Sequence, residues 1–360
     1  MADDLRRKAL ALQREIDGLS SRLAAVTHDA PFAVAALEGR GLGVVALRDL
    51  RAGARLLAET PLVVVPLGAA GRDSRAEGRE SMGATAAQLR AAVAAMPSDK
   101  RELFFSLSQS ESFGTVKTAE GIAQTNGIPF RVAGELFGAV YLMASRFNHA
   151  CDANAAFKFN TRLGQLTVHA VRPIPSGAEV TFNYAGFVAC RQQRQQRLRD
   201  AFGFDCACAK CLLSGLPLHQ SEQRLAMLGD ATAFTSWLRS HGALWALLRS
   251  EPGAILAELE ARYALLELEC SGFVLPGTTD IMLRHFCDFC SSAASRLAKL
   301  HADGLADPAA LPKGVLLESL ASRAAAYAEG SRTWAVKARE VALLMAGQDS
   351  QVYASYAQES

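Results

Sequence analysis

The sequence predicts an α+β protein: a β domain with a helical insertion, a cysteine-rich segment able to hold zinc, and an α-helical C-terminal domain. Three observations predict it. Short strand patterns fill 32–66 and 155–184 and do not return after 214. Cys206, Cys208 and Cys211 crowd into a C-x-C-x-x-C spacing. From 221 to 346 the chain reads as Leu/Ala-rich helical stretches broken at Pro252-Gly253, Pro276-Gly277 and Asp307-Pro308.

The elements follow in order. Leu5, Leu12, Leu19 and Val26 recur every seven residues, with Ala9, Ile16 and Leu23 four residues after the first three. Residues 1–28 are therefore expected to hold one amphipathic helix. Its seam over 3–26 serves either a coiled-coil or self-association contact or the body of the same chain. Gly39-Arg40-Gly41-Leu42-Gly43 opens a strand, and Leu62-Val63-Val64-Val65 reads as a buried one. Residues 67–133 are Gly/Ala/Ser-rich and then helical (AAQLRAAVAAM), an insertion within the β domain. AAFKFN and QLTVHAV flank the turn signal TRLG and predict a hairpin. The two β stretches also resemble each other. VALRDLRAGARL at 45–56 matches HAVRPIPSGAEV at 169–180, aligning Arg48 with Arg172, Leu50 with Ile174, Gly53 with Gly177 and Ala54 with Ala178. Glycine supplies the positive φ that such a turn requires.

Composition narrows the function classes. Of 360 residues, 50% are hydrophobic, and 38 basic residues stand against 36 acidic ones for a net charge of +2. That is not the electrostatic footprint of a nucleic-acid-binding domain. No apolar run approaches a membrane span, so no membrane partner is expected. The N-terminus is charged and lacks the apolar core of a secretory signal, which points to cytoplasm or nucleus. The eight cysteines are then expected to be reduced and to be read first as metal ligands. Three clustered thiolates need a fourth ligand for a tetrahedral site, with Cys151 and Cys190 as the nearby candidates. Cys287 and Cys290, beside His285, lie on one face of a helical pattern and read as core. The run RQQRQQRLRD at 191–200 reads as a solvated helix face.

Ordered motifs then carry a family resemblance. Ser145-Arg146-Phe147-Asn148-His149-Ala150-Cys151-Asp152-Ala153-Asn154 resembles the Asn-His-Ser-Cys-x-Pro-Asn signature of SET domains. Gly177-Ala178-Glu179-Val180-Thr181-Phe182-Asn183-Tyr184 resembles the strand that ends in their catalytic tyrosine. Cys206 to Cys211, 22 residues after Tyr184, resembles the post-SET zinc motif. The arrangement is similar to the SET-and-MYND methyltransferase family, without its MYND finger, since 67–133 holds no cysteine. Ala150 and Ala153 stand where Ser and Pro are usual, and Phe202 where a tyrosine is usual.

The resemblance implies a SET-type knotted β fold over 32–199, a zinc-binding post-SET segment over 200–214 and a helical C-terminal domain over 218–360. It implies a protein-lysine N-methyltransferase that takes its methyl group from S-adenosylmethionine and acts on a lysine of a histone or non-histone protein. The alternative is a catalytically weak SET scaffold that acts as a protein-binding module. By position, the cofactor residues are Arg40, Gly41, Leu42, Gly43, Asn126, Ser145, Asn148, His149, Tyr184 and Phe204, the last stacking on adenine. Tyr184 is the catalytic residue. Phe182 and Phe202 line the lysine channel, Phe182 as a gate on the degree of methylation. Cys151, Cys206, Cys208 and Cys211 hold one structural zinc.

Overall fold

The computed structural model describes residues 30–67, 86–133, 135–184, 190–226 and 320–350, with isolated positions between and beyond the last two stretches. The seam over 3–26 and the Cys287/Cys290 pair lie outside the described residues, as does most of 218–360. The chain divides into two compact units. One comprises 1–185, 193–211 and 344–351; the other comprises 186–192, 212–343 and 352–360.

The first unit begins with β1 (Phe32–Leu37), β2 (Gly41–Ala46), β3 (Arg55–Glu59) and β4 (Val63–Pro66). Three helices follow: α1 (Ala86–Ala94), α2 (Ser98–Phe105) and α3 (Ala119–Asn126). Then come β5 (Ile128–Val132), β6 (Glu135–Val140), β7 (Asn148–His149), β8 (Ala155–Asn160), β9 (Gln165–Ala170), β10 (Glu179–Phe182) and helix α4 (Arg191–Phe202), whose residues from 193 on belong to this unit. The strands form three sheets ordered β1-β2-β10-β7, β3-β9-β8 and β4-β6-β5. All pairings are antiparallel except β10 with β7.

The expected hairpin is β8–β9, paired from Ala155↔Ala170 to Asn160↔Gln165. Asn160 Oδ1 accepts from the amides of Arg162 and Leu163, and Gly164 closes the turn at φ +65°. The strand expected at 62–65 is present, but it is buried on one face only. Val63 and Val65 point inward while Val64 is 41% exposed, because successive side chains face opposite sides of an antiparallel sheet that is packed here on one side. Among the described residues of 67–133, helices α1, α2 and α3 occupy much of 86–126, and the last residues form β5, which pairs along β6. The interrupted pattern IPFRV concealed that strand, since a proline demotes a run read from sequence alone.

The sequence repeat is a structural one, and its halves pair with each other. The Gly53 amide donates to the Ala170 carbonyl at 2.7 Å, and its counterpart Gly177 donates to Ala46 at 2.8 Å. Ala46 donates to Ala178 and Ala170 to Ala54, both at 2.9 Å. Leu50 and Ile174 exchange both bonds at 2.8 and 2.9 Å. This local two-fold buries Ala46, Ala170, Leu50 and Ile174 in the core with Phe32, Val44, Phe147, Val168 and Phe182. It also ties β2 to β10, the two strands that flank the site.

In the second unit, residues 215–226 are helical, and so are residues 320–343 of the helix Leu320–Ala346. Its buried residues Tyr327, Ser331, Trp334, Ala338, Val341 and Ala342 recur every three or four positions, so one stripe faces inward. Among the described residues no helix is long and apolar enough to cross a membrane.

Candidate active site and metal centre

Parallel pairing of β7 with β10 sets Asn148 beside Thr181 and His149 beside Phe182. Asn154 holds the junction from outside the ladder. Its Oδ1 accepts from the Thr181 amide at 2.8 Å, and its Nδ2 donates to the Glu179 carbonyl at 2.8 Å. A short 3₁₀ turn, Ala144–Arg146, leads into β7. Glu59 fixes its start by accepting from the amides of Met143 and Ala144 at 2.8 and 2.9 Å. Burial pushes the Glu59 carboxyl above its ordinary value, and the backbone bonds oppose that shift.

Three expected residues form one polar network. Asn148 donates to Glu179 Oε1 at 3.0 Å, Arg40 pairs with Glu179 Oε2 at 3.0 Å, and Arg40 donates to the His149 carbonyl at 2.7 Å. Gly43 lets this network close. A Cβ there would lie 2.3 Å from a Leu37 methyl and 2.8 Å from Asn148 Nδ2. Gly41, at φ +67°, has open space where a side chain would be. Among the described residues, Ser145 Oγ is buried with no hydrogen-bond partner. Asn126 is placed differently: its amide donates to the carbonyls of Ser108 and Ile122, so it fastens the end of α3.

His149 is the pivot. Its ring is buried, and burial lowers its pKa to about 4, so the imidazole is neutral. Nδ1 accepts from the Tyr184 amide at 2.9 Å, which leaves the proton on Nε2, 3.3 Å from Cys151 Sγ. The Tyr184 hydroxyl donates to the Phe147 carbonyl. Burial raises its pKa above the ordinary tyrosine value, so it stays protonated. Phe202 lies 4.9 Å from the Tyr184 ring and Phe204 6.1 Å from His149. Phe204 is 36% exposed. Phe182 is only 2% exposed and stacks on Phe147 at 4.5 Å.

The sulfurs of Cys151, Cys206, Cys208 and Cys211 all lie within 4.8 Å of one another. A zinc tetrathiolate with Zn–S of about 2.3 Å has sulfurs about 3.8 Å apart, so the set fits a tetrahedral ion. Cys190 is not in the set, which selects Cys151 between the two candidate fourth ligands. All are free thiols. Hydrogen bonds from Cys151 above all hold Cys208 well below the ordinary thiol range and bring Cys211 to about 7, so part of the cluster ionises readily. Helix α4 supplies residues that the reading of a solvated face missed. Arg194 and Leu198 are buried one turn apart. Arg194 Nε lies 3.3 Å from Cys151 Sγ, and Gln195 exchanges two bonds with the Cys206 backbone at 2.7 and 2.8 Å. The burial of Arg194 works against its charge, but its interactions with the sulfurs of Cys151 and Cys211 outweigh that and raise its pKa.

Comparisons with known proteins agree with this geometry. Residues 41–185 match the family model described as SET domain. The histone-lysine N-methyltransferase set5 of Schizosaccharomyces pombe is 28% identical over 220 residues, covering 60% of this chain and 62% of that protein. The histone-lysine N-methyltransferase SET5 of Candida albicans is 42% identical over 86 residues, 24% of this chain and 18% of the relative. The mouse histone-lysine N-methyltransferase SMYD3 is 36% identical over 72 residues, 20% of this chain and 16% of the relative. The chain thus spans less than two thirds of the length of these relatives.

Proposed function

From the SET domain carried on residues 41–185, we propose that this chain is a protein-lysine N-methyltransferase that uses S-adenosylmethionine and one structural zinc. The observation that carries the reading is the convergence on His149: one ring nitrogen holds the Tyr184 backbone, and the other faces a sulfur of the cysteine cluster. The same proposal includes the family's knotted threading, the four cysteines as zinc ligands, a protein substrate and a helical C-terminal domain.

The cofactor, when bound, supplies an electrophilic methyl group. Its residues would be Arg40 to Gly43, Ser145, Asn148, His149 and Phe204, with Asn126 acting through the insertion it fastens. The buried, unpartnered Ser145 hydroxyl and the open space above Gly41 support that placement. The nucleophile must arrive as a neutral amine, although free lysine has a pKa of about 10.4. The rings of Tyr184 and Phe202 offer an apolar wall that disfavours the ammonium form. Tyr184 remains a hydroxyl, so it serves as an aligning group rather than a base. Its bond to the Phe147 carbonyl holds it still, and alignment carries the rate.

Tyr184→Phe is expected to lower methyl transfer by roughly a hundredfold, the scale of lost alignment, with cofactor binding retained. The measurement is incorporation of labelled methyl groups into a host proteome, with calorimetry for binding. Equal turnover by wild type and variant would refute the role of Tyr184. Binding without turnover by the wild type would favour the scaffold reading, which the replacement of a channel tyrosine by Phe202 supports.

A further inference from the structure

We propose that Arg194 is the counter-charge of the four-cysteine centre, a positioning residue whose guanidinium slows release of the bound metal by donating to its thiolates. This rests on the zinc reading proposed above and concerns only this chain's own side chains.

Four thiolates around a dication retain two negative charges. That charge is held in a buried place, where water cannot offset it and an unpaired charge is costly. Arg194 is 2% exposed, with Nε 3.3 Å from Cys151 Sγ and NH2 4.0 Å from Cys211 Sγ. It therefore touches two of the ligands, whose sulfurs themselves approach to 3.4 Å. The helix sets this position. Leu198, fully buried four residues on, fixes the inward face of α4. Gln195, the next residue, locks the helix to the Cys206 backbone in both directions. The His149 Nε2 proton reaches the same Cys151 sulfur from the other side. Release of a zinc ion needs a thiolate to leave it and take up a proton or a new partner. A guanidinium against that sulfur stabilises the thiolate and opposes the exchange.

Zinc content of the purified chain is measured first. Transfer of zinc to a chromogenic chelator is then timed for wild type, Arg194→Gln, Arg194→Lys and Arg197→Gln, the last on the exposed side of the same helix. Outer-sphere partners change metal affinity by roughly 10–100-fold, so Arg194→Gln should release zinc at least tenfold faster. Arg194→Lys, which keeps the charge but loses the fork, should fall between, and Arg197→Gln should match the wild type. Release from Arg194→Gln within twofold of wild type, or equal acceleration by Arg197→Gln, overturns the proposal. If Arg194→Gln does not fold, the wild type decides: loaded with a spin-active cadmium isotope, it should show scalar coupling from metal through sulfur to the Arg194 Nε proton. A cadmium-loaded chain without that coupling also overturns it. A chain that holds no zinc removes the metal reading itself, whereas a zinc-loaded chain with unchanged release removes only the role of Arg194.

Discussion

Phe204 is a large aromatic left partly open beside two other rings, Phe202 at 6.3 Å and His149 at 6.1 Å. If it stacks on adenine, Phe204→Ala should weaken cofactor binding by about 1–3 kcal/mol, the scale of base–aromatic stacking. Calorimetry on the folded variant checks this, and unchanged affinity would remove the stacking role. A second prediction concerns His169, buried between Arg55 and the segment that bears Gly347 and Asp349. Burial first, then the Arg55 charge, lowers its pKa from 6.5 to about 4. The unfolded chain therefore binds a proton that the folded one refuses, and stability falls as pH drops from about 6.5 to about 4. At 1.36 kcal/mol per unit the loss through this group is at most about 3 kcal/mol. His169→Gln should flatten that part of the curve when urea midpoints are compared at pH 7 and pH 4.5. An undiminished slope would assign the acid loss elsewhere. At this scale Asn148, His149, Tyr184 and the cysteines were legible because each belongs to a spaced motif. Glu179 and Asn154 stood inside those motifs without a role, and Arg194 was read as part of a solvated helix face, because what such a side chain does depends on which distant groups it meets.

The paired repeat makes a testable claim about elements. Gly53 and Gly177 occupy equivalent turns at φ +79° and +80°. A Cβ on Gly177 would meet nothing within 4 Å, so Gly177→Ala isolates backbone strain and should cost about 1–2 kcal/mol. At Gly53 a Cβ would also approach a Leu344 methyl at 3.3 Å, so Gly53→Ala should cost at least as much. Chemical denaturation of both variants checks the pair, and a neutral Gly177→Ala would show that the turn does not need the left-handed region. The repeat itself could be read from the sequence through the Gly-Ala pairs, but that its halves hydrogen-bond to each other could not, because alignment does not say which copies touch. The same limit hid β5 and the exposed side of β4: pairing along β6 and packing on one side are facts of the sheet.

At the scale of the molecule, the described residues of the first unit form two hydrophobic clusters, with Tyr184 packed against both. The larger fills the space among the three sheets, whereas the smaller consists of Cys151, Leu198, Cys206 and Cys211 with Tyr184, Phe202 and Cys208 against it. Chelation of the metal should therefore loosen the segment that bears Phe202 and Phe204 while the sheets stay folded. Zinc removal is expected to abolish cofactor binding in calorimetry and to leave the far-ultraviolet circular dichroism of the β core largely intact. Global unfolding on chelation would show instead that the metal supports the whole unit.

The sequence by itself determined the strand-rich stretches, the hairpin, the repeat, the cysteine spacing and the motifs that resemble those of SET domains. Each of these is local, set by side-chain period, turn residues or short ligand spacing. Spacing left Cys151 and Cys190 both open as the fourth member of the cluster, the family resemblance favoured Cys151, and the tertiary structure placed the Cys151 sulfur with the other three. It also buried Arg194 against two sulfurs and stacked Phe182 on Phe147. Those outcomes depend on which distant segments meet, and the energy of a buried charge or ring is fixed by its surroundings rather than by its place in the chain.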